Sequence, residues 1–232
     1  MSAVDAKPSA SGTGNSRKRG PYAPDATRAA MLQVAVDLFS ERGFHATTVQ
    51  AIVQRAGVTK GAFYHHFESK EDVLRQIHAE YAGEMVTNAR DTLQRDISPI
   101  EQLRMIIQRA VVSLGNHRAH VAVFYQEYRF LDGTQYAGIR EMHEEEEAIL
   151  MDIITRGKKA GQLRKELDPK ILIFAMSGIT AWIYQWYDPS GELSLDDIAA
   201  ELADIILGGA ATPEAMAALP ARKRRRRNAA KA

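Results

Sequence analysis

The sequence predicts an all-α protein: an N-terminal three-helix domain carrying a helix-turn-helix, followed by a larger helical-bundle domain. Three observations predict it. Between residues 25 and 209 nearly every segment repeats its apolar residues at helical spacing. Alternating β-branched runs are absent and helix formers dominate. Glycines and N-capping residues stand where such helices should stop and start.

Residues 1–24 are expected to form a disordered basic arm, because they are small and polar, are interrupted by Pro8, Gly12, Gly14, Gly20, Pro21 and Pro24, and hold Arg17, Lys18 and Arg19. Met31, Leu32, Ala35, Leu38 and Phe39 form one face of a first helix over about 26–42. Gly43 supplies the left-handed residue after it, and Phe44 can fold back on its last turn. Thr47 with Gln50 reads as a capping box opening a second, short helix that ends at Gly57. A third short helix covers about 59–66. Ser69 offers the N-cap of a fourth over about 70–93, with Glu71 and Asp72 in its first turn. The first domain is thus expected over 25–70 and the second over 71–209. Further helices are expected at about 99–116, 119–131, 135–160, 168–187 and 194–208. Pro213 and Pro220 break the pattern after that, so 210–232, with Arg222, Lys223 and Arg224 to Arg227, is expected to be a disordered basic tail.

Composition narrows the class. Apolar residues make up 45% of the chain and charged residues 25%, as in an ordinary globular protein. There is no cysteine, which excludes disulfides, thiolate zinc sites and thiol redox sensing, and fits a cytoplasmic setting. Residues 1–20 hold no apolar stretch of the kind a secretory signal needs. The most apolar segment, Ile171 to Tyr187, is short for a membrane span, contains Ser177, Gly178, Thr180 and Gln185, and lies between Asp168 and Asp188. It is expected to be a helix buried on most sides. The net charge is only +1, so any attraction to a polyanion must come from the basic ends, which either contact phosphates or simply solvate the chain.

The most informative pattern lies between Thr47 and Leu74. Two short helices meet at Gly57, where a tight turn needs a residue tolerant of positive φ. Ile52, Val58 and Phe67 provide apolar contacts that lock the second helix to its neighbours, and Ala56 allows a close crossing. One face of the third helix is then left free, carrying Thr59, Lys60, Gly61, Tyr64 and His65. A helix fits the major groove and its N-terminal residues reach base edges. Gly61 permits close backbone approach, Lys60 and Tyr64 can bond phosphates, and Thr47 and Thr48 can do so from the start of the second helix. Lys70 opens the fourth helix, where the helix dipole disfavours a cation, so a phosphate contact is the expected reason for it.

The run Gly57-Val58-Thr59-Lys60-Gly61-Ala62-Phe63-Tyr64-His65-His66-Phe67, followed by Ser69-Lys70-Glu71, resembles the DNA-binding signature of the TetR family of repressors. The leading helix, with Leu38-Phe39 and Gly43-Phe44, resembles it too, so the likeness covers about residues 26–75. It implies a homodimer joined through its last two helices, a palindromic double-stranded DNA operator, release by a small-molecule effector and no enzymatic role. The pattern agrees: Ile171 to Tyr187 is apolar almost all round, and Ile198, Leu202, Ile205 and Ile206 add a second apolar helix face, so a second copy is the expected cover.

For the effector, aromatic residues gather at Phe124, Tyr125, Tyr128 and Phe130, and at Trp182, Tyr184, Trp186 and Tyr187. They either line a ligand cavity or belong to ordinary core. The stretch from Trp182 to Leu193, which includes Gln185, and the stretch from His120 to Glu127 are similar to TetR-type regulators of fatty-acid, phenylacetate and steroid breakdown. That likeness implies an acyl-coenzyme A effector, with Phe124, Tyr125, Tyr128, Trp182, Gln185 and Trp186 near the acyl chain and Arg129 near the coenzyme phosphates. A drug-responsive efflux regulator is the alternative.

No cofactor or metal is expected. His65 and His66 are adjacent and point apart on a helix, and His117 with His120 lack an obvious third ligand. Glu144 to Glu147 reads as a solvated helix face. Two other classes remain as rivals: an acyl-thioester enzyme or carrier, for which no activated nucleophile, phosphate loop or carboxylate pair is visible, and a nonspecific DNA binder using the basic ends.

Overall fold

The computed structural model describes the backbone of residues 24–127 and 136–220 and the side chains of 25–124 and 136–220. Its helices are α1 (Pro24–Arg42), α2 (Val49–Ala56), α3 (Lys60–His66), α4 (Lys70–Leu93), α5 (Pro99–Asn116), α6 (Arg118–Glu127), α7 (Ala137–Lys159), α8 (Pro169–Ala181), α9 (Ile183–Trp186), α10 (Leu195–Ala210) and α11 (Pro213–Ala218). Among the described residues there is no strand, only an isolated bridge between Leu163 and Ala211. Among the described residues no helix is long and apolar enough to cross a membrane.

The helix starts follow from caps. Ser69 Oγ accepts the Asp72 N–H at 3.1 Å to open α4. Ser98 and Glu101 form a reciprocal capping box ahead of α5, with Pro99 in the first turn. Asp168 accepts from the Lys170 and Ile171 N–H groups at 2.8 and 3.2 Å, and Ser194 from Asp197 at 3.1 Å, opening α8 and α10.

Among the described residues two large apolar cores result, with two smaller clusters beside them. Met31, Leu38, Phe39, Ile52, Phe63, Phe67 and Ile77 fill the first, between α1, α2, α3 and the start of α4. Leu103, Ile107, Ile153, Ile154, Leu172 and Leu207 fill the second, between α5, α7, α8 and α10. α4 belongs to both: Val73, Leu74 and Ile77 lie in the first core and Ala89 in the second. α6 is a second bridge, since its Val123 is buried in the first core. Arg28 of α1 adds a polar tie to α4, through Gln76 at 2.5 Å and Glu80 at 3.2 Å.

Four expectations need correction. Thr47 is not the N-cap of α2; Thr48 is, with its Oγ1 accepting the Ala51 N–H at 3.2 Å. The segment 168–187 is not one helix. It breaks at Trp182, where Thr180 Oγ1 bonds back to the Met176 carbonyl at 2.8 Å and Arg118 takes the Tyr184 carbonyl at 2.8 Å, both of which favour a bend. The second domain does not close at 209. Thr212 caps α11, which seats Ala215 and Leu219 in the second core, so the start of the expected tail is ordered. Glu144 to Glu147 is more than a solvated face, because Glu145 pairs with Arg90 of α4 at 2.5 and 2.6 Å.

Candidate nucleic-acid interface and effector cavity

The turn between α2 and α3 is built from backbone bonds. Gly57 adopts φ 68°, ψ 28°. Its N–H meets the Gln54 carbonyl at 3.3 Å while the Val58 N–H meets Val53 at 3.0 Å, the paired pattern of a Schellman stop. Thr59 then caps α3 by accepting the Ala62 N–H at 3.1 Å. α3 buries Phe63 against Phe67, with ring centroids 5.3 Å apart, and so leaves its other side outward. Lys60, Gly61, Tyr64 and His65 are exposed there, Tyr64 by 58%. Thr48 and Thr59, both exposed, each use an oxygen lone pair for capping and keep a hydroxyl proton to donate.

Thr47 and Lys70 have another duty. Thr47 is 1% exposed, and its hydroxyl lies 2.9 Å from the Gly43 carbonyl and 3.2 Å from that of Leu38. The Lys70 ammonium donates to the carbonyls of Phe44 at 2.7 Å and Thr47 at 2.9 Å and sits 4.2 Å from the Phe44 ring. A cation at the start of α4 is therefore explained by the turn it straps down, without a phosphate. Tertiary geometry was needed to see this, because the carbonyls come from residues far away in sequence.

In the second domain a cavity of about 240 Å³ lies between α4, α5, α6, α7 and α8. Met85, Leu114, Phe124 and Ile139 give it apolar walls, and His78, Tyr81, His143, Glu146 and Thr180 give it polar points. Of the expected ligand residues, Phe124 lines it. Ala181 lines it too, but the side chain of Trp182 turns outward and is 60% exposed, and Gln185 and Trp186 are also exposed. The side chain of Tyr125, with Tyr128 and Arg129 entire, lies outside the described residues, as do Arg17 to Arg19 and Arg222 to Arg227.

His78 went unnoticed in the sequence. It is 3% exposed, its ring meets Phe124 edge to face at 4.6 Å, and Tyr136 is 5.9 Å away. Burial, followed by the like charges of His120 and His143, lowers its pKa to about 3, so the ring is neutral. The same burial raises the Tyr136 phenol to about 12 and lowers His120. The available signal was positional: His78 lies one turn after Leu74 on the apolar face of α4. Among the described residues, no group of three or more His, Cys, Asp or Glu is placed to hold a metal.

Comparison with known proteins agrees with this architecture. The family model described as "Bacterial regulatory proteins, tetR family" matches residues 31–77. That described as "Tetracyclin repressor-like, C-terminal domain" matches residues 96–210. The chain is 29% identical to the HTH-type transcriptional repressor KstR2 of Mycolicibacterium smegmatis over 191 residues, covering 82% of this chain and 93% of that one. Among solved structures, the ketosteroid transcriptional regulator KstR2 of Mycobacterium tuberculosis aligns with TM-score 0.73 and 26% identity, over 80% of this chain and 95% of that one. AibR, crystallised with isovaleryl coenzyme A and operator DNA, aligns with TM-score 0.68 and 25% identity, over 77% and 97%. The chain belongs to the TetR family of bacterial regulatory proteins, as a transcriptional regulator and not an enzyme.

Proposed function

We propose that the chain is a cytoplasmic homodimeric repressor that holds a palindromic operator and releases it when an acyl-coenzyme A thioester enters the second domain. The observation that carries the effector class is AibR, a relative in fold and sequence whose structure contains both isovaleryl coenzyme A and operator DNA. The KstR2 relatives, one of them a ketosteroid transcriptional regulator, favour an effector with a large apolar part. At about 240 Å³ the cavity is small beside typical ligand sites of roughly 300–1,000 Å³, so it suits the acyl group, with the nucleotide end lying outside.

An exposed apolar face supports a dimer. Ile171 and Phe174 of α8 and Ile205 of α10 are large, apolar and exposed, Ile205 by 58%, on two helices that pack together. An exposed apolar face of that kind marks an interface. A two-fold axis there would set the two α3 helices about 34–36 Å apart, one DNA turn. The exposed face of α3 would enter the major groove, with Lys60 and Tyr64 on phosphates and the N-terminal residues of α3 near base edges. Release follows if the thioester binds a form whose α4 and α6 hold the two α3 helices at another spacing.

The test is a gel shift on the DNA upstream of the chain's own coding sequence, titrated with isovaleryl-, octanoyl- and steroid-derived coenzyme A thioesters and with free coenzyme A. Release by a thioester and not by free coenzyme A is expected. If no thioester weakens the complex, the effector class is wrong, and release by aromatic cations would instead identify a drug-responsive regulator. Sedimentation of the purified protein should give twice the 25.7 kDa chain mass.

A further inference from the structure

We propose that His78 is the polar recognition point of the cavity, where its ring exchanges a hydrogen bond with a neutral oxygen, carbonyl or hydroxyl, on the apolar part of the effector. The inference rests on reading this cavity as the effector site.

Among the described residues neither His78 Nδ1 nor Nε2 has a hydrogen-bond partner, although the ring is 3% exposed. Buried polar groups are paired in nearly all native structures, and an unpaired one calls for a specific reason. A core position would be better filled by Phe or Leu, which need no partner. The ring instead lines the cavity together with Ile139 and Thr180, edge-on to Phe124. A neutral imidazole offers one N–H donor and one acceptor nitrogen, which suits a carbonyl or a hydroxyl.

Among the described residues the rest of the lining disfavours a negative charge on that part of the ligand. Among the described residues no Lys or Arg borders the cavity, whereas Glu146 does, with His143 beside it. A carboxylate would therefore meet apolar walls and a like charge without a counter-ion. Thioesters, esters, ketones and alcohols carry the oxygen without the charge. The cavity thus separates an activated acyl group from its free acid.

The position of His78 also links the contact to DNA binding. The preceding residue, Ile77, lies in the core of the recognition domain, as does Leu74 one turn earlier. On α6, Phe124 lines the cavity while its neighbour Val123 lies in that same core. A ligand held by His78 and packed on Phe124 therefore bears on both helices that support α1, α2 and α3.

The experiment compares the native protein with His78→Phe and His78→Gln, using cyclohexanone, cyclohexanol and methylcyclohexane as probes of similar size. Binding is followed by ligand-observed NMR and stability by thermal melting. The native protein should bind at least one oxygenated probe about tenfold more tightly than methylcyclohexane. His78→Phe should lose that preference and melt higher, and His78→Gln should regain part of it. Sodium isovalerate should not compete. In the native protein alone, the His78 ring 15N resonances should shift with an oxygenated probe and not with methylcyclohexane, a reading that needs no variant to fold. Equal affinities in the native protein, a preference retained in His78→Phe, or ring resonances indifferent to oxygen would each overturn the proposal. A protein that ignores every thioester on DNA yet shows the His78-dependent preference upholds it, and only the thioester assignment then fails.

Discussion

Lys70 holds the carbonyls of Phe44 and Thr47 from the first turn of α4, so removing it should be felt in folding before it is felt in DNA binding. Charge-assisted hydrogen bonds contribute about 1.5–3 kcal/mol, and Lys70→Met should lower the free energy of unfolding by that order in a denaturant titration. Lys60 is exposed on the free side of α3, and its replacement should leave stability alone. Lys60→Ala should instead weaken operator binding and reduce the slope of log affinity against log salt by about 1. If the two variants exchange these signatures, Lys70 is the phosphate contact after all.

His78 makes a second prediction at this scale. Its folded pKa, about 3, lies below the ordinary 6.5, so the unfolded chain binds the extra proton between those values. Stability must then fall as the pH drops from about 6.5 toward 3, and at pH 5 the loss from this group is about 2 kcal/mol. His120, lowered chiefly by burial, acts in the same direction. Denaturant midpoints at pH 7.5 and 5.0 measure the sum, and His78→Phe should flatten most of the difference. An unchanged difference would mean that the ring is charged or solvated in the folded state.

At the scale of elements, α2 and α3 are too short to persist alone and depend on their caps and on packing. Thr59→Ala removes the hydroxyl that accepts the Ala62 N–H and should cost about 1 kcal/mol. Gly57→Ala places a Cβ at φ 68° and should cost about 1–2 kcal/mol, although nothing lies within 4 Å of the added atom. The penalty is therefore backbone strain alone, and melting of Gly57→Ala against Gly57→Asn, which tolerates the left-handed region better, separates strain from crowding. These caps were legible in sequence because a cap is a local contract between residues three or four apart. Thr47 was misjudged because its partners, the Leu38 and Gly43 carbonyls, belong to the preceding helix and turn. The break at Trp182 was missed for a related reason: Arg118, which takes the Tyr184 carbonyl, lies on another helix.

For the molecule as a whole, α11 closes the second core. Leu219 and Ala215 are buried in it, and Arg104 donates to the Pro220 carbonyl at 3.0 Å. Truncation after Thr212 should cost about 2–3 kcal/mol from the exposed Leu219 site alone and lower the melting temperature. Truncation after Pro220 keeps these contacts and should melt higher than truncation after Thr212; equal melting of the two forms would show that α11 adds nothing. In the function proposed above, the shared helices of the two large cores supply the means of coupling. Because α4 and α6 each contribute side chains to the DNA-binding core and to the cavity, a change in the one cannot be absorbed without strain in the other.

Helical period, the glycine stop at 57 and the Ser69 cap follow from rules acting over a few residues, so the sequence by itself determined the all-α class, the recognition helix and its outward face, and from these the family. The tertiary structure alone decided what those outward and inward faces meet. It turned Trp182 and Trp186 away from the cavity and brought His78 into it, sent Lys70 to two backbone carbonyls, and ordered α11. Such assignments depend on groups distant in sequence arriving within a few ångströms of one another, and helical periodicity says which side of a helix is buried but not which neighbour covers it.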